Sequence, residues 1–217
     1  MTQEAQRFFI NEDQQVLEEI LLHRRDVRGN YFKKDPTSDE NINRILQAAL
    51  SALSIGFFQS REFVMIYNNE TKEAIKASFQ EDNTKSSHQF SDEKQQKYTQ
   101  PKLEGNTESP LKVAVFYKPK NEPVLGQTSM PNMGKYSVVC AIQNMWLMAR
   151  SLNIGMGWVS ILVPEKVKTI LNVPKENQLI GYLCFGYTDK FYHKPELEIK
   201  KWDYKKLQNE VVIQERY

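Results

Sequence analysis

The sequence is poor in the residues that form disulfide frameworks and metal sites. Its 217 residues include two cysteines, Cys140 and Cys184, and three scattered histidines. Both cysteines lie in apolar stretches without the spacing of a zinc site, and the histidines match no ligand motif. We therefore expect free thiols that behave as small hydrophobic side chains, and no metal.

The sequence also lacks an excess of charge of either sign. Its 29 Lys and Arg residues nearly balance 27 Asp and Glu residues, which leaves a net charge of +2. This balance gives no field that would select nucleic acid or an anionic membrane. The first residues, MTQEAQRFF, lack the basic start and apolar run of a signal peptide, and the most apolar stretch is too short to span a bilayer. We expect a cytoplasmic protein.

Nucleotide-binding loops are a third absence. The chain has neither a Walker loop nor a glycine-rich dinucleotide fingerprint. Gly155 and Gly157 follow a helix and enter a strand, which is the reverse of the order that such a loop requires. What it does have is 40% apolar residues, enough for the core of one domain over residues 1–217. About four strands and five helices, not strictly alternating, predict an α+β sandwich.

The most apolar stretch runs from Tyr136 to Leu162. Its first part predicts a helix that is apolar on nearly every side, which is typical of a helix buried in a core or a subunit interface. Gly155 and Gly157 are expected to end this helix before a buried strand from Trp158 to Leu162. Ser160 in that strand either presents its hydroxyl to a ligand or is satisfied by its own backbone.

Flanking segments predict the remaining elements. Asn11 with Gln14 indicates a capped start of a first, amphipathic helix, and Ser38 opens a second helix. The second helix is expected to end at Ser54-Ile55-Gly56, a small-residue turn where backbone can approach a flat ligand. Further helices are predicted at 71–80 and 164–171, and further strands at 62–67, 113–117 and 179–187.

Three polar or charged segments call for interpretation. Arg24, Arg25 and Arg28 surround Asp26 within five residues, and form either a solvated helix end or a guanidinium clamp for an anion such as phosphate. Residues 81–100 have few large apolar side chains, and a loop of this length is either disordered or a functional lid. We favour the lid. Residues 194–217 mix charges with apolar side chains that need cover from the body or from a partner subunit.

Several runs, taken together, resemble one family. The chain is similar to the nitroreductase-like flavoproteins and, within them, to the BluB family of flavin-consuming 5,6-dimethylbenzimidazole synthases. The matching runs include Arg24-Arg25-Asp26-Val27-Arg28, Ser54-Ile55-Gly56-Phe57, Lys102-Leu103-Glu104-Gly105, Cys140-Ala141-Ile142-Gln143-Asn144 and Gly157-Trp158-Val159-Ser160-Ile161. The sequence departs from the family at Leu53, where a proline is usual, and near Ser60-Arg61, where a Pro-Trp pair is usual.

The resemblance implies a nitroreductase-like sandwich in which helices flank a central mixed or antiparallel sheet. It also implies an intertwined homodimer that binds FMN in a pocket built by both subunits. The residues expected at the cofactor are Arg24, Arg25, Asp26, Val27, Arg28, Ser54, Gly56, Leu103, Val159 and Ser160. Within this set, Asp26 and Ser160 would carry catalysis.

The remaining roles also follow from the resemblance. The three arginines would hold the phosphate and polar edge of the flavin, Ser54 and Gly56 would lie against its pyrimidine side, and Leu103 would pack near the ring. Either Lys190 or Lys194 is a further candidate for the phosphate.

The implied activity is the oxygen-dependent fragmentation of reduced FMN to 5,6-dimethylbenzimidazole, the lower ligand of cobalamin, and erythrose 4-phosphate. NAD(P)H would act indirectly, through a flavin reductase that supplies reduced FMN. One alternative is an NAD(P)H-dependent FMN nitroreductase, or a flavin or corrinoid reductase. Another is a module that only holds flavin or only forms a dimer.

Overall fold

A four-stranded antiparallel sheet lies at the centre of the protein. The computed structural model describes residues 7–77 and 108–217. The strands are β1 (Arg61–Ile66), β2 (Leu111–Tyr117), β3 (Ile154–Val159) and β4 (Gln178–Tyr187), and they pair in the order β1-β2-β4-β3. The long apolar strand β4 therefore lies inside the sheet, where both of its faces are covered. Every neighbouring pair is antiparallel, so the sheet is antiparallel rather than mixed.

Seven helices accompany the sheet in the described residues. They are α1 (Asn11–His23), α2 (Asp39–Leu50), α3 (69–77), α4 (Met133–Ser151), α5 (Pro164–Ile170), α6 (Glu196–Ile199) and α7 (Gln208–Val211). Helix α4 is the apolar helix predicted from the sequence, and eight of its residues are buried. No described helix combines the length and the apolar character needed to cross a membrane.

Helices cover both faces of the sheet, as the α+β sandwich prediction requires. On one face, Val113, Val115 and Leu183 pack against α4 and α2. On the other, Phe116 and Tyr182 pack with Val167 of α5. This alternation follows from the two-residue period of a strand, because adjacent apolar residues of β2 point to opposite faces. The predicted fold class is confirmed.

The third strand begins earlier than the sequence suggests. Helix α4 ends near Asn153, which adopts a left-handed conformation with φ of 55°, so the two glycines do not end it. Gly155 and Gly157 lie inside β3, and Ser160 follows the strand. A Cβ at Gly157 would lie 2.3 Å from the Val27 carbonyl oxygen. These glycines therefore allow the close approach of another backbone.

The start of the first helix also differs from the prediction. The N-cap is Ile10 rather than Asn11, and the Asp13 carboxylate, not Gln14, accepts a hydrogen bond from the Ile10 N–H at 3.1 Å. No residue of α1 is buried, so its apolar side faces solvent in the single chain.

Other predicted bounds agree more closely. Ser38 caps α2 by accepting the Asn41 N–H at 3.3 Å, although α2 ends at Leu50, before the predicted turn. Pro164 opens α5 as expected. The predicted lid, 81–100, and Leu103 lie outside the described residues. Residues 194–217 contain α6 and α7, and their apolar side chains Val211, Val212 and Ile213 are exposed.

Candidate active site

The arginine-rich segment leaves α1 and runs beside β3. The Val27 N–H donates to the Met156 carbonyl at 3.0 Å, and Asp26 forms a parallel bridge with Met156. Val27 is buried and packs with Phe32 and Cys184. The segment therefore lies against the edge strand of the sheet and is not a solvated helix end.

Both carboxylate oxygens of Asp26 accept hydrogen bonds. Oδ1 accepts the Trp158 backbone N–H at 3.1 Å, and Oδ2 accepts a short ionic hydrogen bond from Arg28 Nε. One bond comes from the strand and the other from a side chain two residues away, so the carboxylate is held in a defined orientation.

The three arginines make different contacts. The Arg24 guanidinium lies over the Trp146 ring, and burial lowers the pKa of Arg24, with a smaller contribution from Arg25 that Asp26 opposes. Arg25 donates to the carbonyls of Leu22 and Arg24, both at 2.7 Å, and of His193 at 2.9 Å. Arg25 is therefore committed to backbone contacts, although all three arginines line the cavity described next.

A cavity of about 600 Å³ lies beside this segment. Its lining includes Arg24, Arg25, Asp26 and Arg28 from the segment, and Tyr192, Lys194, Glu196, Glu198 and Lys205 from the C-terminal part. Five basic and three acidic side chains line it, which gives a net charge of +2. Of the two candidate lysines, Lys194 lines this cavity, whereas Lys190 lies over the Tyr192 ring.

The second predicted patch, Ser54 to Gly56, lies elsewhere in the same chain. Ser54 Oγ accepts the Gln59 N–H at 2.6 Å, and the Ile55 N–H donates to Ser137 Oγ at 3.1 Å. Gly56 has a φ of 53°, and a Cβ there would lie 2.7 Å from the Leu125 carbonyl oxygen. Ser137 precedes Trp146 by nine residues of α4, or roughly 14 Å along the axis. The residues of this turn do not line the arginine cavity of their own chain.

Ser160 lies closer to Asp26 in the fold than in the sequence. It follows β3 and is exposed, two residues beyond the Trp158 N–H that binds Asp26. Two extended residues span about 7 Å. Ser160 does not line the cavity beside the arginines, and Val159 packs half-buried near Val27. The structure thus brings Asp26 to the strand end from which Ser160 follows.

Several side chains in or beside the cavity were not singled out from the sequence. Trp146 and Arg150, one helical turn apart on α4, contact the segment that contains the arginines. Tyr192 lines the cavity, and its hydroxyl makes a short hydrogen bond to Tyr31, which raises the pKa of Tyr192 to about 12. The four-residue spacing of Trp146 and Arg150 was the one sequence signal that these two side chains lie on the same face of the helix.

Among the described residues, no three His, Cys, Asp or Glu side chains form a group suited to a metal ion.

Comparison with known proteins identifies the family. The family model described as the nitroreductase family matches residues 21–187, most of the chain. The chain belongs to the nitroreductase family. A 5,6-dimethylbenzimidazole synthase of Rhodospirillum rubrum is 38% identical over 188 residues, which are 86% of this chain and 88% of that protein.

Solved structures of the nitroreductase fold agree with this result. A BluB-like flavoprotein from Clostridium difficile 630 superposes with a TM-score of 0.70 at 21% identity, covering 92% of this chain and 99% of that one. An iodotyrosine deiodinase bound to FMN and 3-iodo-L-tyrosine gives 0.72 at 20% identity, covering 93% and 99%. These likenesses show the fold, and the resemblance to the BluB family is confirmed by the synthase relative.

Proposed function

We propose that this protein is a 5,6-dimethylbenzimidazole synthase that fragments reduced FMN with dioxygen. The observation that carries the proposal is the 38% identity to such a synthase across 86% of the chain. The family match over residues 21–187 includes a segment whose three arginines and one aspartate line a single cavity. The products would be 5,6-dimethylbenzimidazole and erythrose 4-phosphate.

The cavity fits the phosphate end of FMN. A phosphate monoester carries a charge of about −1.5 to −2 at neutral pH, which the net charge of +2 on the lining complements. Arg24 is partly desolvated, and an anion beside it would compensate that loss of hydration. The volume of about 600 Å³ lies within the usual range for small-molecule sites.

Asp26 and Ser160 would transfer and hold protons at the flavin ring of FMN, where the reaction takes place. When bound, reduced flavin supplies both the electrons that dioxygen accepts and the carbon atoms of the product. Asp26, fixed by Trp158 and Arg28, would accept and return a proton, a role that typically contributes about 10²- to 10⁴-fold in rate. The Ser160 hydroxyl would donate a hydrogen bond, which is worth roughly 3 to 4 kcal/mol in a preorganised site.

Two copies of the chain would complete the site. Ser54 and Gly56 do not line the arginine cavity of their own chain, and the surface around their turn is apolar and exposed. Phe57 is 83% exposed and Leu125 84% exposed, and Tyr136 and Val139 of α4 are also exposed. Burying such a patch against a second copy would remove apolar area from water. The homodimer would bring the turn of one copy to the cavity of its partner.

Product analysis tests the proposed activity. The purified protein is mixed anaerobically with chemically reduced FMN, then exposed to air, and the products are separated and identified by mass spectrometry. We expect 5,6-dimethylbenzimidazole and erythrose 4-phosphate in equal amounts. Intact FMN together with fast NAD(P)H oxidation by nitroaromatics or quinones would contradict the proposal and indicate a reductase. A parallel reaction that contains NAD(P)H and a separate flavin reductase should also yield the benzimidazole, whereas NAD(P)H alone should not.

Mixed dimers test whether the site is shared. Asp26→Asn disables the cavity, and Gly56→Val disables the turn, because its side chain would meet the Leu125 carbonyl. If each site takes one part from each copy, random mixed dimers have one intact site, and an equal mixture regains about a quarter of the parent activity. A mixture no more active than its two components would refute a shared site.

The role of Asp26 needs a control, because its carboxylate also holds Arg28. Asp26→Asn keeps an oxygen for the Trp158 N–H but places an amide against Arg28. Arg28→Gln breaks the same ion pair and leaves the carboxylate. A proton-transfer role predicts that kcat falls about 10²-fold or more in Asp26→Asn and much less in Arg28→Gln. Equal losses in the two variants would assign Asp26 an orienting role only.

A further inference from the structure

Trp146 contacts the arginine segment at two points. Its indole N–H donates a hydrogen bond to the Arg25 carbonyl oxygen at 3.3 Å, and the Arg24 guanidinium carbon lies 4.5 Å from the centre of its ring. Trp146 is only 9% exposed, and its hydrogen bond to Arg25 is partly buried. A guanidinium that lies over an aromatic face keeps its N–H donors in its own plane, where they can still bind an anion.

Arg150 contacts the same region one helical turn later. It donates to the His23 carbonyl at 3.0 Å, and its guanidinium lies 4.1 Å from the centre of the Phe191 ring. Arg25 in turn donates to the His193 carbonyl at 2.9 Å. One face of α4 therefore supports both walls of the cavity, the segment around residues 23–25 and the segment around residues 191–193.

Strand β3 supports a different part of the arginine segment. Met156 accepts the Val27 N–H, and the Trp158 N–H binds the Asp26 carboxylate. Arg24 and the Arg25 backbone are thus positioned by α4, whereas Asp26 and Val27 are positioned by β3. A change in α4 can displace the guanidinium groups while the carboxylate stays anchored to the strand.

The geometry points to Trp146 as a positioning residue that sets Arg24 for the phosphate end of FMN, separately from the group that orients Asp26. The inference rests on the proposed function only in taking FMN as the ligand. It predicts that changes at Trp146 reduce the preference of the protein for FMN over riboflavin, which has the same ring and no phosphate.

Two substitutions separate the two contacts of Trp146. Trp146→Phe keeps an aromatic face for Arg24 and removes the N–H, whereas Trp146→Leu removes both. Loss of one hydrogen bond should weaken FMN binding about fivefold. Loss of the ring as well should bring the total to about 30-fold. Ile142→Val, one turn earlier in the buried face of α4, is the matched control for a loosened core and should bind FMN as the parent does.

The measurement is the dissociation constant for FMN and for riboflavin, from flavin fluorescence in phosphate-free buffer, with thermal unfolding of each variant. The expected result is a loss of FMN affinity in Trp146→Phe and a larger loss in Trp146→Leu, with riboflavin affinity within about twofold of the parent. An unchanged ratio of FMN to riboflavin affinity in both variants overturns the inference. This holds if neither ligand is weakened and also if both are weakened equally, because the residue would then only support the fold.

Measurements on the unsubstituted parent protein distinguish a failure of this inference from a failure of the proposed function. A parent that prefers FMN and responds at Trp146 as expected, but makes no benzimidazole, refutes the activity and leaves the positioning role standing. A parent with no preference for FMN over riboflavin shows that the cavity does not hold phosphate and overturns the inference. If Trp146→Leu fails to fold, Trp146→Phe still decides the outcome.

Discussion

Gly157→Ala should displace the segment that contains Asp26 from the sheet. A Cβ at Gly157 would lie 2.3 Å from the Val27 carbonyl oxygen, whereas ordinary contacts begin near 3.4 Å. The opposing atom belongs to the backbone, so no side-chain rotation can relieve the clash. The two backbones must separate by roughly 1 Å to restore an ordinary contact.

That separation breaks two hydrogen bonds. The Val27 N–H to Met156 bond is 3.0 Å long and the Trp158 N–H to Asp26 bond is 3.1 Å, so each would exceed the usual limit. A neutral bond contributes about 1 kcal/mol and one to a carboxylate about 2, so the free energy of unfolding should fall by about 3 kcal/mol. A catalytic group misplaced by about 1 Å can reduce turnover roughly 100-fold.

Gly155→Ala provides the matched control on the same face of β3. Its Cβ would meet side-chain atoms of Val27 at 3.0 to 3.1 Å, and these can yield by a few tenths of an ångström. We expect a loss near 1 kcal/mol for this variant, with most of the benzimidazole synthesis retained. Urea unfolding and product formation would be measured for both. If Gly157→Ala is no more damaging than Gly155→Ala in either assay, the close approach of the two backbones is not what positions Asp26.

Three further predictions concern groups away from the cavity. The buried Tyr182 hydroxyl has no partner in the described chain, and burial raises the pKa of Tyr182. The unfolded state therefore loses this proton first, and stability should fall above pH 10 by up to about 1.4 kcal/mol per unit in urea titrations. Tyr182→Phe should lack that component and gain about 1 kcal/mol at neutral pH, and equal pH slopes would contradict this. Arg61→Gln removes a 2.6 Å bond to the Leu50 carbonyl at the end of α2 and should lower Tm by about 6 °C, whereas Arg7→Gln on the exposed surface should not. Burial raises the pKa of the Cys184 thiol, so it should react with a disulfide reagent only as fast as the protein unfolds, and rapid labelling of the native protein would refute its burial.

Much of the fold was predictable because it depends on local pattern. Helix α4 and strand β4 are apolar along nearly their whole length, and this pattern predicts the bounds of both within a few residues. Ser38 and Pro164 have local capping roles, and both open helices as predicted. Strand β3 was misplaced because its glycines serve a contact with Val27, a residue about 130 positions earlier in the sequence. A one-dimensional pattern cannot show such a contact.

The sequence predicts which residues form the site but not which contacts hold them in place. The arginines and Asp26 lie within five residues of one another, so a shared site follows from the sequence order alone. Arg25 looked equivalent to its neighbours, yet its guanidinium is bound to three backbone carbonyls. Trp146 looked like any other core aromatic, because the carbonyl that it binds becomes its neighbour only in the folded chain.

The departure at Arg61 shows how one substitution can alter the support of a distant patch. The family usually has a Pro-Trp pair near this position, whereas this chain has a guanidinium that binds the Leu50 carbonyl and reaches those of Ala52 and Leu53. These carbonyls end α2 and lead into the turn at Ser54, so a cation there favours the helix dipole and holds the turn. Burial lowers the pKa of Arg61, because the guanidinium loses part of its hydration when it makes this contact. The turn at Ser54 is therefore held by contacts within its own chain.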